Sequence, residues 1–208
     1  MVIADGVYTV AAFGHFCRLC ETQDHLFELI QGRIVEKLPT EEHGLLVSNL
    51  GYALHNYVKQ AKNGRIGCHV AHRMPQDDYN VRMPDLAFSN VRRPLIRTGY
   101  VPHMPALAVD IQLPDISAEA LRAKAAYYLE NGARLVWLVY PEKRLVEAYR
   151  LDGDVEILLE SDSLDGGEVL PAFTLLVADI FADVKALCSV ANCKERNRRF
   201  SHNDDRRL

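Results

Sequence analysis

Two aspartates, a lysine and a tyrosine carry most of the chemistry this sequence could perform. In the stretch Ala106-Leu107-Ala108-Val109-Asp110-Ile111-Gln112-Leu113, strand alternation puts Leu107, Val109, Ile111 and Leu113 on one face. Asp110 and Gln112 then share the other face with Ala106 and Ala108. An aspartate is disfavoured in mid-strand, and burying its charge unpaired is costly, so a cation, a base or water in a cleft should compensate it. A second carboxylate, Asp85, interrupts the apolar run Val81 to Phe88. If the two strands are neighbours, the carboxylates approach and repel unless a divalent cation or a shared proton neutralises them. Oxygen-only ligands select Mg²⁺ or Mn²⁺ over zinc. Further on, Lys124 and Tyr128 lie four residues apart on one helix face, beside Leu121 and Ala125, so Lys124 can point towards the sheet. A plainer reading stands beside each: Asp110 as a hydrogen-bonded strand-end carboxylate, Asp85 as a turn residue after Pro84, and Lys124 as a solvent-facing helix lysine.

The elements that must position these groups follow from hydrophobic period and capping. Phe13, Phe16, Cys17 and Cys20 mark the buried stripe of a first helix, about Thr9 to Glu21. Leu26 to Lys37 reads as a hairpin turning at Gln31-Gly32. A long amphipathic helix, about Glu41 to Lys62, has Thr40 as N-cap and Gly64 as stop. Three strand candidates follow, Arg65 to Arg73, Val81 to Ser89 and Ala106 to Gln112, then a helix from Ser117 to Asn131 ending at Gly132. The segments Leu135 to Tyr140, Leu145 to Leu151 and Val155 to Glu160 read as a β-meander. The pattern predicts an α/β fold, a central mixed β-sheet flanked by helices.

Composition bounds the function. The chain has 208 residues, 49% hydrophobic and 25% charged, an ordinary globular composition with material for one α/β core. Its longest apolar stretch, Leu135 to Tyr140, is far short of a membrane span, and the first residues lack a leader pattern, so the expectation is a soluble, cytoplasmic protein. With 24 basic and 28 acidic side chains, net −4, it is not built to coat nucleic acid by charge alone. Five scattered cysteines argue for reduced thiols rather than a disulfide framework. Cys17 and Cys20, with Cys188 and Cys193, leave a zinc site as an alternative, but cysteine as a small apolar residue on the first helix fits better. One domain, 1–191, is expected, with a basic C-terminal tail, 192–208, too poor in apolar residues to order itself.

Several segments together carry a resemblance: Phe27 to Val35, His43 at the start of the long helix, Val81 to Phe88, the Val109-Asp110-Ile111 core, Lys124 followed by Tyr128, and Gly132 to Val139. From about Tyr8 to Asp183 the chain resembles the bacterial family of putative restriction endonucleases, also known as a domain of unknown function, in the PD-(D/E)XK nuclease superfamily. The resemblance implies a restriction endonuclease-like fold. It makes Pro84-Asp85 the first motif, with Asp85 a metal ligand, and Asp110-Ile111-Gln112 the second. Asp110 is then the second metal ligand, and the Ile111 carbonyl can join it. Two departures matter. The family usually has Glu where Asp110 stands, and Gln112 occupies the usual lysine position, leaving Lys124 to reach in from the helix. Glu28 resembles an auxiliary acid, against the plain reading of a hairpin-surface charge. His43 resembles a histidine of the family with no clear role, against a helix N-terminal residue packed on the sheet.

The chemistry implied is hydrolysis of DNA phosphodiester bonds assisted by Mg²⁺ or Mn²⁺ at Asp85 and Asp110, with Lys124 countering charge on the phosphate and Gln112 orienting water by hydrogen bonding. Without an inward Lys124 the site would lack its cation. Arg92, Arg93 and Arg97, between the acidic strands, form a basic loop suited to phosphate or simply to solvent. A homodimer is expected, because cutting both strands of a duplex needs two sites and an exposed sheet edge invites pairing. Two other classes stay open: a nucleic-acid-binding or regulatory protein that keeps the fold but not the turnover, and an interaction protein without a nucleic-acid role.

Overall fold

A computed structural model describes residues 6–19, 22, 24–90, 94–182 and 184. The first helix, α1 (Val10–Phe16), is shorter than its apolar period suggested: Thr9 caps it by accepting from the Ala12 N–H, and it closes at Cys17. Phe13 is buried and Phe16 and Cys17 are partly buried, so the stripe packs as expected over the described part, against the hairpin that follows. That hairpin pairs β1 (Leu26–Ile30) with β2 (Arg33–Lys37). Its two-residue turn needs positive φ at both positions, met by Gln31 at 50° and Gly32 at 77°.

The long helix α2 (Glu41–Ala61) starts on the Thr40 hydroxyl, which accepts from the His43 N–H. It leads through Lys62 and Gly64 into β3 (Arg65–Cys68). At Gly64, φ is 70° and a Cβ would stand 2.5 Å from the Phe88 ring and 2.7 Å from the Ser89 carbonyl, so the chain turns there with no room for a side chain. Val81 to Ser89, read as one strand, is divided. Pro84 has no N–H for a ladder, and Val81 and Arg82 form isolated bridges to Leu29 and His72. Only β4 (Leu86–Ser89) belongs to the main sheet. Arg65 to Arg73 likewise keeps strand geometry only as far as Cys68.

Six strands form that sheet in the order β3-β4-β5-β6-β7-β8, with β5 (Leu107–Ile111), β6 (Leu135–Tyr140), β7 (Leu145–Arg150) and β8 (Val155–Leu159). Every neighbouring pair is antiparallel except β5 and β6, which run parallel and are joined through α3 (Ala118–Glu130). The sheet is therefore mixed, as the sequence predicted. On one face Leu46, Leu50 and Leu54 of α2 pack over Val109, Trp137 and Val146. On the other, Leu121, Ala125 and Tyr128 of α3 pack over Ala108, Val136 and Leu138. α3 is pinned beyond its apolar stripe: Arg122 grips the buried Glu147 of β7 through Nε (3.1 Å) and a terminal nitrogen (2.5 Å), and the Tyr140 and Tyr149 hydroxyls donate to the same carboxylate.

After β8 come elements the sequence reading did not separate: β9 (Ser163–Asp165), β10 (Thr174–Leu176) and the short α4 (Val177–Ile180). Leu164, Phe173, Val177 and Ile180 close the α2 side of the core. The expected tail, 192–208, lies outside the described residues, as do Cys20, Cys188 and Cys193. Among the described residues no helix is long and apolar enough to cross a membrane.

Candidate active site

Asp110 and Asp85 meet because β4 and β5 are neighbours. Asp85 lies one residue before β4, where its N–H donates to the Val109 carbonyl and its Oδ2 accepts from the Ile111 N–H at 2.8 Å. The alternation read from the sequence holds on β5. Leu107, Val109 and Ile111 join the α2-side core, while Ala108 packs on the α3 side, towards which Asp110 turns. There Lys124 Nζ donates to Asp110 Oδ1 at 2.6 Å, and the Tyr128 hydroxyl donates to Oδ2 at 2.9 Å. Helical spacing of four thus places an ammonium and a phenol on the two oxygens of one carboxylate.

Glu28 joins them from β1. Its Oε2 lies 3.0 Å from Lys124 Nζ, and its Oε1 accepts from the Met83 N–H at 2.7 Å. Glu28 is 2% exposed, which removes the reading of a hairpin-surface charge. His43, at the start of α2, is also buried, with Nε2 3.0 Å from Asp85 Oδ2. Gln112 is different: its amide donates to the Ile116 carbonyl at 2.8 Å, fastening the loop into α3. It lines a second opening beside His43, not the one occupied by Glu28 and Lys124. Of the basic loop, Arg92 and Arg93 lie outside the described residues and Arg97 is exposed.

Two participants escaped the sequence reading. Lys37, the last residue of β2, is 8% exposed and donates to Asp85 Oδ1 at 2.6 Å, the Met83 carbonyl at 3.0 Å and Asp110 Oδ1 at 3.4 Å. It stands between the two aspartates. His69, whose φ of 49° places it in the left-handed region, stacks on His43 with ring centroids 6.5 Å apart and brings Nε2 to 3.6 Å from Asp85 Oδ1. Nothing in local sequence marks either one. Lys37 reads as a polar strand end, and His69 reaches Asp85 only through the turn after β3. Arg82 completes the charges, buried with its guanidinium 4.5 Å over the Tyr127 ring.

The electrostatics separate the three acids. Burial opposes the charge of Asp85, but the Lys37 ammonium and contacts from His43 and His69 outweigh it and hold the carboxyl well below the ordinary range. Glu28 is lowered as well, with Lys124, Lys37, Arg82 and the Met83 N–H overcoming its burial. Asp110 goes the other way. Burial, reinforced by Asp85 and Glu28 as like charges, raises it despite Lys124 and Lys37. Lys37 stays firmly protonated, its burial more than offset by Asp85, Asp110 and Glu28.

Glu28, Lys37, Arg82, Asp110, Lys124 and Tyr127 open onto a cavity of about 540 Å³ between the hairpin and α3. Three carboxylates are hard oxygen donors of the kind Mg²⁺ and Mn²⁺ take. In type they fit a divalent cation. In arrangement they are already engaged: among the described residues no three His, Cys, Asp or Glu side chains are set to hold an ion, and the point shared by Asp85 and Asp110 is taken by Lys37 Nζ. Of the alternative zinc set, Cys17 lies among the described residues and is a free, partly buried thiol.

The mixed sheet with its helical crossover, which comparison with known proteins places in the restriction endonuclease-like fold class, brings two acids on neighbouring strands up to a lysine of the crossover helix. The chain belongs to the family Uma2, described as "Putative restriction endonuclease", whose model matches residues 13–178. Its fold is similar to the crystal structure of a putative nuclease belonging to DUF820 from Anabaena variabilis ATCC 29413, with TM-score 0.70 and 20% identity over 84% of this chain and 97% of that one. No curated protein matches.

Proposed function

We propose that this protein is an endonuclease that hydrolyses phosphodiester bonds in DNA with the help of Mg²⁺ or Mn²⁺. The observation that carries the reading is the convergence of Asp110 and Glu28 on Lys124 at the wall of one open cavity, with Asp85 buried behind them and joined to Asp110 through Lys37. Asp85 and Asp110 would hold the cation, with Glu28 beside them. The cation, when bound, would polarise a phosphoryl oxygen and ease deprotonation of a water. Lys124, fixed by Asp110 and Glu28, is placed to counter negative charge on a phosphate entering the cavity. Tyr128 holds Asp110 in orientation through its hydroxyl. A homodimer belongs to the same proposal. The surface that supports it is β8, an edge strand of the sheet, with Val155, Ile157 and Leu159 exposed on one face.

A second reading has its own support. Lys37 between the aspartates, and a Gln112 amide committed to a loop carbonyl, suit a protein that binds nucleic acid without cutting it. One experiment separates the two. Supercoiled plasmid is incubated with the protein and Mg²⁺ or Mn²⁺, beside Asp85→Ala and Lys124→Ala. Nicking that disappears in both variants supports the endonuclease. Retention of plasmid without nicking supports the binding module, and plasmid that is neither nicked nor retained sinks both.

A further inference from the structure

Lys37 places its ammonium at the point between Asp85 and Asp110 that a divalent cation held by both would need. Its Nζ has three oxygen neighbours, Asp85 Oδ1, the Met83 carbonyl and Asp110 Oδ1, at 2.6, 3.0 and 3.4 Å. Two of them come from the carboxylates of the adjoining strands. The charges near it are balanced: Glu28, Asp85 and Asp110 face Lys37, Lys124 and Arg82, all largely buried. A divalent cation added to that set would leave two positive charges in excess in a poorly solvated place, whereas one that replaced Lys37 would leave a single excess charge. Two cations cannot share the point between Asp85 and Asp110, so one must leave. Lys37 has somewhere to go, because it also lines the 540 Å³ cavity beside Glu36 and Val35.

We infer that Lys37 is a tethered counter-ion which occupies the place of the divalent cation, so that metal binding requires its withdrawal into the cavity. The inference rests on the proposed metal-dependent reading of the site. Its consequence is that the chain binds a divalent cation only through the fraction of molecules with Lys37 withdrawn, which weakens the apparent affinity by that fraction. Withdrawal also delivers an ammonium to the space a phosphodiester would enter, coupling cation entry to a contact with substrate.

Mn²⁺ binding, followed by electron paramagnetic resonance of the free ion on the full chain, tests this without any appeal to activity. With the Lys37-withdrawn form a minor population, Lys37→Met should bind Mn²⁺ at least about tenfold more tightly than the natural chain. Lys37→Arg, which keeps the charge, should stay weak, and the gain should vanish in Lys37→Met combined with Asp85→Asn. Lys37→Met leaves two buried carboxylates short of a cation, so Mn²⁺ should also raise its melting temperature more than that of the natural chain. Lys37→Gln, which keeps a donor for Asp85, provides the same comparison if Lys37→Met does not fold. Equal Mn²⁺ affinity in the natural chain and the neutral variants overturns the inference, as does the absence of binding in all of them. Tighter binding by the neutral variants with no plasmid nicking by any protein would uphold Lys37 as the competing cation while the endonuclease reading fails.

Discussion

Asp85 and Asp110 share a lysine and a strand boundary, yet they contribute to stability in opposite ways. Asp85 is held well below its ordinary value of 3.8, whereas Asp110 is raised above it. A depressed carboxyl adds stability that is fully present above its unfolded value and lost as pH falls through the folded one. A raised carboxyl is penalised while ionised, and the penalty is relieved as pH falls through its folded value. Each aspartate is the nearest partner of a buried ammonium, Lys37 or Lys124, but only Asp85 is favoured in its charged form, so Asp85→Asn should cost about 3 kcal/mol at pH 7 and Asp110→Asn clearly less, about 1 kcal/mol. Urea unfolding at pH 7, 5 and 3 checks the sign: the Asp85→Asn deficit should shrink only below about 3.8. Equal costs for the two variants at pH 7 would contradict the assignment. At this scale the sequence was readable where chemistry clashed with local pattern. Asp110 stood out as a charge on an alanine-lined strand face, and Lys124 as a lysine sharing a face with Leu121 and Ala125. Lys37 offered no such clash, because a lysine that ends a short strand looks the same whether it enters solvent or a buried pair of carboxylates.

Elements were legible in proportion to the length of their period and the clarity of their caps. Thr40 and Ser117 cap α2 and α3 as read, and the parallel β5–α3–β6 unit follows from a strand, a capped helix and a second apolar strand. Two strand boundaries failed for one reason: β-propensity continues through Val70 to His72 and through Val81-Arg82, but His72 bridges Arg82 and Val101, and Val81 bridges Leu29 of the hairpin, instead of joining the main sheet. The β9–β10 pair and α4 span three or four residues each, too few for a period to register. The sharpest single position at this scale is Gly64, which ends the approach from α2 and lets β3 pair with β4 behind the site. Gly64→Ala places a methyl against the Phe88 ring and the Ser89 carbonyl at a positive φ. It should destabilise the protein by more than about 1 kcal/mol in thermal or urea unfolding. A neutral result would mean the β3–β4 edge shifts freely, and with it the segment leading to Asp85.

Across the whole molecule, charge decides how nucleic acid could be held. The chain is net −4, so long-range electrostatics repels a polyanion, and any affinity must come from cations placed locally. Those at the cavity are Lys37, Lys124 and Arg82, and Arg97 is exposed on the loop between the acidic strands. Two of the cavity cations are already neutralised by carboxylates at 2.6 Å, so they add little until those partners are otherwise engaged. Contacts to roughly two to four phosphates are what such a surface can offer, which corresponds to a slope of about −2 to −4 in log affinity against log salt. Filter binding of a short duplex through a salt series, with Mn²⁺ held constant and Asp85→Ala used to prevent cutting, measures it. If the site acts as a pair of copies on one duplex, the slope per complex should double at protein concentrations where the dimer forms. A flat dependence would remove phosphate recognition from this molecule and leave its buried carboxylates without a nucleic-acid role; a slope far steeper than four would require cations away from the cavity to join the contact.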